Sequence, residues 1–394
     1  MSVVTNASND LPGNPLRQLT LDQLRQRTSA KWREHPADVL PLWVAEMDVP
    51  LAEPITKAVN DAMAAGDTGY PAGSAYTEAF ADFAAERWGW TDLGPGRIRT
   101  VPDMMLGVVE MLNLLTAPGD AVVVNSPVYP PFYEFCAFNG RKVIEAPLAP
   151  NHRIDFAALA EAFELALGRG RRAAYLLCSP HNPTGTIHSA AELARVARVA
   201  ADYGVRVVAD EAHAPIVAPG TVFTPYLTVP GAENGLAVTS AAKAWNLPGL
   251  RAAVAIAGPD SAVELARMPK QMSGSTSHIG AIAQTAAYRE GGAWLDALLA
   301  GLEENRRVLA AALAEHLPQV VYRPQPATYL SWLDCRGMGL GDDPAAAFLE
   351  RGRVAVNSGL PFGTGGAGHV RLNYATSPEI LVEAVRRMAA AART

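Results

Sequence analysis

The feature that most constrains this chain is a repeated alternation of short apolar runs with helical patterns between residues 97 and 257. Runs at 97–102, 121–125, 142–146, 173–178, 205–209 and 235–238 read as buried strands. Helical periodicity at 106–115, 155–167 and 189–203 separates several of them. Strands alternating with helices of this length indicate an α/β fold with a mostly parallel sheet covered on both faces. In such sheets ligands gather beyond the carboxyl ends of the strands. Asp210, the His181-Asn182 pair and Lys243 all fall at or just after strand ends.

The flanking segments are less regular. The first dozen residues, rich in Ser, Asn, Asp, Pro and Gly, read as a flexible arm, and residues 20–33 open like a helix with weak amphipathicity. In VLPLWVAEMDVP (39–50), an apolar run ends in Glu46 and Asp48 beside Trp43 and Met47, an unusual mixture for a core strand. GDTGYPAG (66–73) is a turn cluster presenting Tyr70, between helices that begin near Pro54 and Ala75. After Lys243 come a strand at 252–257, a loop at 270–278 and a long helical region at 279–316 broken near Gly291-Gly292. Strands near 319–322, 328–333, 353–357 and 369–374, with helices at 344–351 and 377–392, read as a smaller α+β unit.

Composition removes several function classes. With 394 residues, 49% of them apolar, the chain can bury two sizeable cores. A net charge of −6 without a basic block gives no footprint for nucleic acid. Cys136, Cys178 and Cys335 are far apart, forming neither a disulfide framework nor a zinc site, as expected in a reducing cytoplasm. No apolar run reaches the ~20 residues of a membrane helix. The N-terminus lacks the basic and apolar regions of a signal peptide.

Lys243 lies in TSAAKAWNLPGL (239–250), with Ser240 before it and Arg251 after. A lysine amine is nucleophilic only when neutral, and crowding beside another cation favours that form. Such a lysine can hold an aldehyde cofactor as a Schiff base; a surface loop lysine is the plain alternative. In HNPTG (181–185) a turn aims the Asn182 amide out of a strand end. Asp210, closing VRVVA, fits a helix cap, an ion pair or the partner of a protonated pyridine nitrogen. His213 among small residues is equally compatible with a cofactor contact or a core histidine. Arg371 in HVRLNYA is either half of a salt bridge or a clamp for a substrate carboxylate. Gly363, Gly365 and Gly368 satisfy G-x-G-x-x-G, but they precede a strand instead of following one, so a loop is expected and not a dinucleotide site. No histidine pair has zinc spacing, and no metal is expected.

In sequence order, Tyr129 in SPVYPPF, Asn182 in HNPTG, Asp210 in DEAH, Lys243 in SAAKAWNLPGL and Arg371 in VRLNYA resemble the fold-type-I pyridoxal-phosphate enzymes. LPLWVAEMD (40–48), DEAH and FGTGGAGHVRLNYA (362–375) narrow the resemblance to the cystathionine β-lyase-like (MalY/PatB-like) C–S lyase branch of the class I/II aminotransferases. The resemblance runs from about residue 20 to the C-terminus. It implies a large domain with a mostly parallel seven-stranded sheet over 51–285, a smaller α+β domain over 286–394, and an N-terminal segment over 1–50 packing with the small domain.

The resemblance also implies roles. Lys243 would hold pyridoxal 5'-phosphate and later move the substrate Cα proton. Asp210 would pair with the ring nitrogen, Asn182 with the phenolic oxygen, and Tyr129 would stack on the ring. The amides of Met104 and Met105, with Ser240 and Arg251, would hold the phosphate. Tyr70 would reach the phosphate of a neighbouring subunit, making an obligatory homodimer with shared sites. Arg371, helped by Val44-Ala45 backbone, would clamp the carboxylate of a small amino-acid substrate.

Two positions depart from the family pattern. Asp103 stands where a glycine often precedes the phosphate-binding amides, and His213 stands where most aminotransferases have tyrosine, as in the lyase-like branch. The implied activity is β-elimination on cystathionine or another cysteine S-conjugate, in the cytoplasm. An amino-acid aminotransferase is the alternative, and a non-catalytic regulatory binding protein is a third reading.

Overall fold

The computed structural model describes residues 13–393, so the expected N-terminal arm lies outside the described residues. Its centre is a seven-stranded sheet in the order Ile98–Val101, Ala253–Ala257, Leu236–Thr239, Arg206–Asp210, Ala173–Cys178, Ala121–Val124, Lys142–Glu145. Ala253–Ala257 runs antiparallel to both neighbours, while the other adjacent pairs are parallel. A parallel return needs a crossover, usually a helix. Residues 240–252 carry turns instead, so the chain reverses there.

The inner strands are buried along their whole length apart from Arg206, as expected when helices cover both faces. Alternate residues feed two cores. Val123, Tyr175, Leu177, Val207, Ala237 and Ile256 face one. Val122, Leu176, Val208, Leu236, Val238 and Ala255 face the other. Helix Met104–Leu115 lies on the second face, with Val108, Met111 and Leu112 in that core. Its Gly107 permits a close approach, since a Cβ there would lie 2.9 Å from Val101 and 3.2 Å from Val238. The N-terminus of this helix therefore sits near the end of the sheet that also presents Thr239 and Asp210.

A four-stranded antiparallel sheet has the order Asn357–Ser358, His369–Asn373, Leu330–Asp334, Val321–Tyr322. Helices Gly292–His316 and Pro378–Ala392 pack together beside it. The break before Gly292 has a steric cause. Trp245, from the Lys243 loop, donates to Gly291 O at 3.0 Å, and any side chain at Gly291 would collide with its ring.

Three expected elements differ. The loop expected at 270–278 holds a short helix, Lys270–Gly274. Residues 20–33 form two short helices, Leu21–Arg25 and Ala30–Arg33, because the Thr20–Gln23 capping box starts a helix that nothing amphipathic prolongs. The strand expected at 353–357 divides into Val354–Ala355, which pairs with Leu40–Pro41, and Asn357–Ser358, which joins the four-stranded sheet. Among the described residues no helix is long and apolar enough to cross a membrane.

Candidate active site

Lys243 follows the buried strand Leu236–Thr239 on a turn fixed from three sides. Thr239 Oγ1 donates to Glu211 O at 3.0 Å, the Ala241 amide donates to Gln284 Oε1 at 2.9 Å, and Ala242 N donates to Ser240 Oγ at 3.2 Å. Asn246, in the left-handed region at φ 58°, accepts from Met47 N at 2.7 Å and donates to Met47 O at 3.0 Å. The turn thereby holds residues 43–49 against the lysine. Lys243 Nζ donates to Ala45 O at 3.3 Å, and no carboxylate of the described residues forms an ion pair with it. Burial first, then the Arg371 charge, lowers its pKa to about 8, against the opposing pull of Asp210 and Glu46. A neutral amine is therefore accessible near neutral pH.

The lysine borders a cavity of about 180 Å³ whose wall includes Asp210, Asn182, Tyr129, His213, Ser240, Arg251, Met104, Met105 and Ala45. Asp210 ends its strand and is buried. Its Oδ1 accepts from Ala212 N at 2.9 Å, and burial pushes its pKa up to about 6, with that bond and Lys243 opposing. A cation placed against it would restore the charged form. Cys178, its neighbour in register, lines the same wall. His213 is buried with Nδ1 unpartnered and stands edge-on to Tyr329, ring centres 5.8 Å apart. Burial, then Lys243 and Arg371, lowers its pKa to about 3, so it is neutral.

The orientation of Asn182 follows from its partner. Arg371 Nη1 donates to Asn182 Oδ1 at 3.1 Å. A guanidinium offers only donors, so the Asn182 NH₂ is left to donate elsewhere. Arg371 also donates to Trp43 O at 3.1 Å and Asn357 Oδ1 at 2.6 Å, and stacks over Phe362 at 5.2 Å. It is buried, its Nε has no acceptor, and no described carboxylate pairs with it; burial lowers its pKa to about 10. A buried cation without an anion is costly unless a ligand supplies one.

At the other end of the cavity, Asp103 caps helix Met104–Leu115 by accepting from Leu106 N at 2.9 Å. Its second oxygen lies 3.2 Å from Arg251. The carboxylate is thus engaged by a helix amide and a guanidinium, while the amides of Met104 and Met105 have no partner among the described residues. Free first-turn amides beside Ser240 and Arg251 are an anion site.

Residues 43–49 complete the wall. Asn373 Nδ2 donates to Val44 O and Glu46 O, both at 2.7 Å. Tyr329 donates to Ala45 O at 3.0 Å. The amides of Val44 and Ala45 have no acceptor among the described residues. Lys31 and Asp48 form a buried ion pair at 2.8 Å behind the segment. Tyr70 lies apart, 90% exposed and outside the cavity wall. Sequence reasoning missed Tyr329, Cys178, Asn246 and Asn373. Asn246 and Tyr329 act on backbone some 200 and 280 residues away, a relation that no local pattern encodes.

The donor set fits pyridoxal phosphate: a lysine that can be neutral, an anion cradle of first-turn amides, a buried carboxylate for a ring nitrogen, and a free amide NH₂. A family profile described as "Aminotransferase class I and II" matches residues 38–388. A protein of Mycobacterium tuberculosis, provisionally named a cystathionine beta-lyase, is 56% identical, covering 95% of this chain and 97% of that one. The cystathionine beta-lyase of Corynebacterium glutamicum is 35% identical, with 94% and 98% covered. A pyridoxal-phosphate-bound C–S lyase structure from Staphylococcus hominis is similar at a TM-score of 0.86 and 25% identity, covering 93% and 96%. The chain belongs to the class I and II aminotransferase family.

Proposed function

We propose that this protein is a pyridoxal-phosphate-dependent C–S lyase that cleaves L-cystathionine or another L-cysteine S-conjugate to a thiol, pyruvate and ammonia. The observation that carries the reading is a buried Arg371, with no carboxylate partner among the described residues, joined through Asn182 to the pocket that holds Lys243 and Asp210. The lyase names of the relatives supply the bond that breaks. When bound, pyridoxal phosphate supplies an electron sink for the pair left at the substrate Cα.

The protein does the rest. Lys243 would hold the cofactor, and its amine then removes the Cα proton, with the Ala45 carbonyl fixing where Nζ sits. Asp210 would keep the ring nitrogen protonated, Asn182 would donate to the phenolic oxygen, and Tyr129 and His213 would border the ring. The Met104 and Met105 amides, Ser240 and Arg251 would hold the phosphate. Arg371 and the Val44-Ala45 amides take the substrate α-carboxylate. The Cα–H and Cβ–S bonds break, the thiolate leaves and takes up a proton, and one water converts the three-carbon fragment to pyruvate and ammonia.

The reading extends to organisation. Residues 51–285 are assigned to the large cofactor-binding domain, 286–394 to the small domain, and 1–50 to a segment packing with it. The exposure of Tyr70 accords with a homodimer in which it reaches the other subunit's phosphate. The acidic charge and three buried free cysteines accord with the cytoplasm. The test is incubation of cofactor-loaded enzyme with L-cystathionine and no keto acid. Equal amounts of pyruvate and thiol support the lyase; amino-acid product that forms only when a keto acid is added would make it an aminotransferase.

A further inference from the structure

The glycine loop 363–368, which does not bind a dinucleotide through its G-x-G-x-x-G pattern, rims a second cavity of about 290 Å³. One wall is the turn 149–152. The other is the outer end of the four-stranded sheet, with Trp332 and His369 stacked at 5.2 Å and nearly parallel. Arg371 pairs in register with Trp332 and His369 with Asp334, so this cavity reaches from the register partner of the Arg371 clamp to a residue pair two positions along the strand. Phe362 packs against Trp332 on one side and Arg371 on the other.

The basic groups here exceed their acidic partners. Asp334 is held by two hydrogen bonds from Arg336, at 2.9 and 2.6 Å, which with burial opposing keep its pKa at about 2. Arg323, reaching across the cavity, donates only to Pro150 O at 2.7 Å and has no carboxylate partner among the described residues. His152 is held at φ 63° by bonds within the turn, a conformation uncommon outside glycine. Among the described residues neither of its ring nitrogens has a hydrogen-bond partner, and Nδ1 is buried. Burial first, then Arg323 and His369, lowers its pKa against the opposing pull of Asp334, whose carboxylate also lies 3.9 Å from His369 Nε2. Of the basic side chains on the walls, Arg323 and His152 are the two without a carboxylate partner among the described residues. The Gly365 amide on the rim also lacks an acceptor among the described residues.

We propose that this cavity is a second ligand site that takes a small oxyanion, bound by Arg323, the His152 ring and the Gly365 amide over the Trp332–His369 floor. The site is separate from the cofactor pocket and does not depend on which reaction that pocket performs. Calorimetric titration of cofactor-loaded enzyme with inorganic phosphate tests it, because the cofactor already fills the other anion cradle. One saturable site per chain is expected. Arg323→Gln should weaken it at least about tenfold, the loss of a charge-assisted hydrogen bond. His152→Asn, which tolerates the left-handed backbone, should weaken it as well. Arg371→Gln should leave it intact. The proposal is overturned by no saturable heat, by an equal response to chloride at matched ionic strength, by unchanged binding in both Arg323→Gln and His152→Asn, or by loss of binding in Arg371→Gln.

Discussion

Arg371 and Asn182, 189 residues apart, are joined by a 3.1 Å hydrogen bond that fixes both. It turns the Asn182 oxygen away from the cofactor pocket and leaves its NH₂ as a donor. It also steadies a guanidinium whose Nε remains free. The proposed substrate clamp and the proposed cofactor contact are thus one unit, and substitutions of either should be felt by both.

Arg371→Gln removes the only buried cation proposed to face the substrate carboxylate. Truncating one partner of a buried, hydrogen-bonded charge pair costs roughly 2–5 kcal/mol. Steady-state kinetics should show KM for amino-acid substrates rising about a hundredfold, with kcat changing less. An unchanged KM would place the clamp elsewhere.

Asp210→Asn keeps the bond to Ala212 N but loses the charge proposed to hold the ring nitrogen protonated. Lys243 should still capture the cofactor, while kcat falls by roughly 10²–10³, the usual loss when one electrostatic stabiliser is removed. Retention of full kcat would separate Asp210 from the chemistry.

Cofactor capture by the apoenzyme requires neutral Lys243. With its pKa lowered to about 8, chiefly by burial, the capture rate should rise with pH and level off above that value. An exposed lysine would keep climbing toward ~10.4. Arg371→Gln removes one lowering charge and should move the midpoint upward. Stopped-flow absorbance across a pH series reads both.

Glu211 is a second buried carboxyl beside Asp210. Its Oε1 accepts from Tyr226 N at 2.7 Å and its Oε2 has no partner. Burial raises its pKa from 4.5 to about 8. The unfolded chain ionises first, so this group's contribution to stability is complete below pH 4.5 and is lost as pH rises toward 8. The slope in that window is roughly 1.4 kcal/mol per pH unit. Glu211→Gln lacks this titration, so its unfolding midpoint should gain on the wild type between pH 5 and pH 8. A constant difference would contradict the raised pKa.

Strand ends and turn chemistry made Lys243, Asp210 and Asn182 legible in the sequence as candidates, because each stands within five residues after the end of a short apolar run. Arg371 was visible as a cation in an apolar strand. The reversal of Ala253–Ala257 was not, since an apolar pentapeptide carries no sign of direction. Residues 39–50 looked anomalous without a reason. Their role is to carry backbone groups past Lys243, fixed by Asn246, Tyr329 and Asn373, and that depends on contacts between distant parts of the chain.

The most direct test of the account compares pyruvate release from L-cystathionine, without keto acid, by cofactor-loaded wild type and by Lys243→Ala. The wild type should release pyruvate and thiol in equal amounts, and the variant should do so at least ~10² times more slowly, the loss expected when a positioned general base is removed. Undiminished release by Lys243→Ala, or none by the wild type, would contradict it.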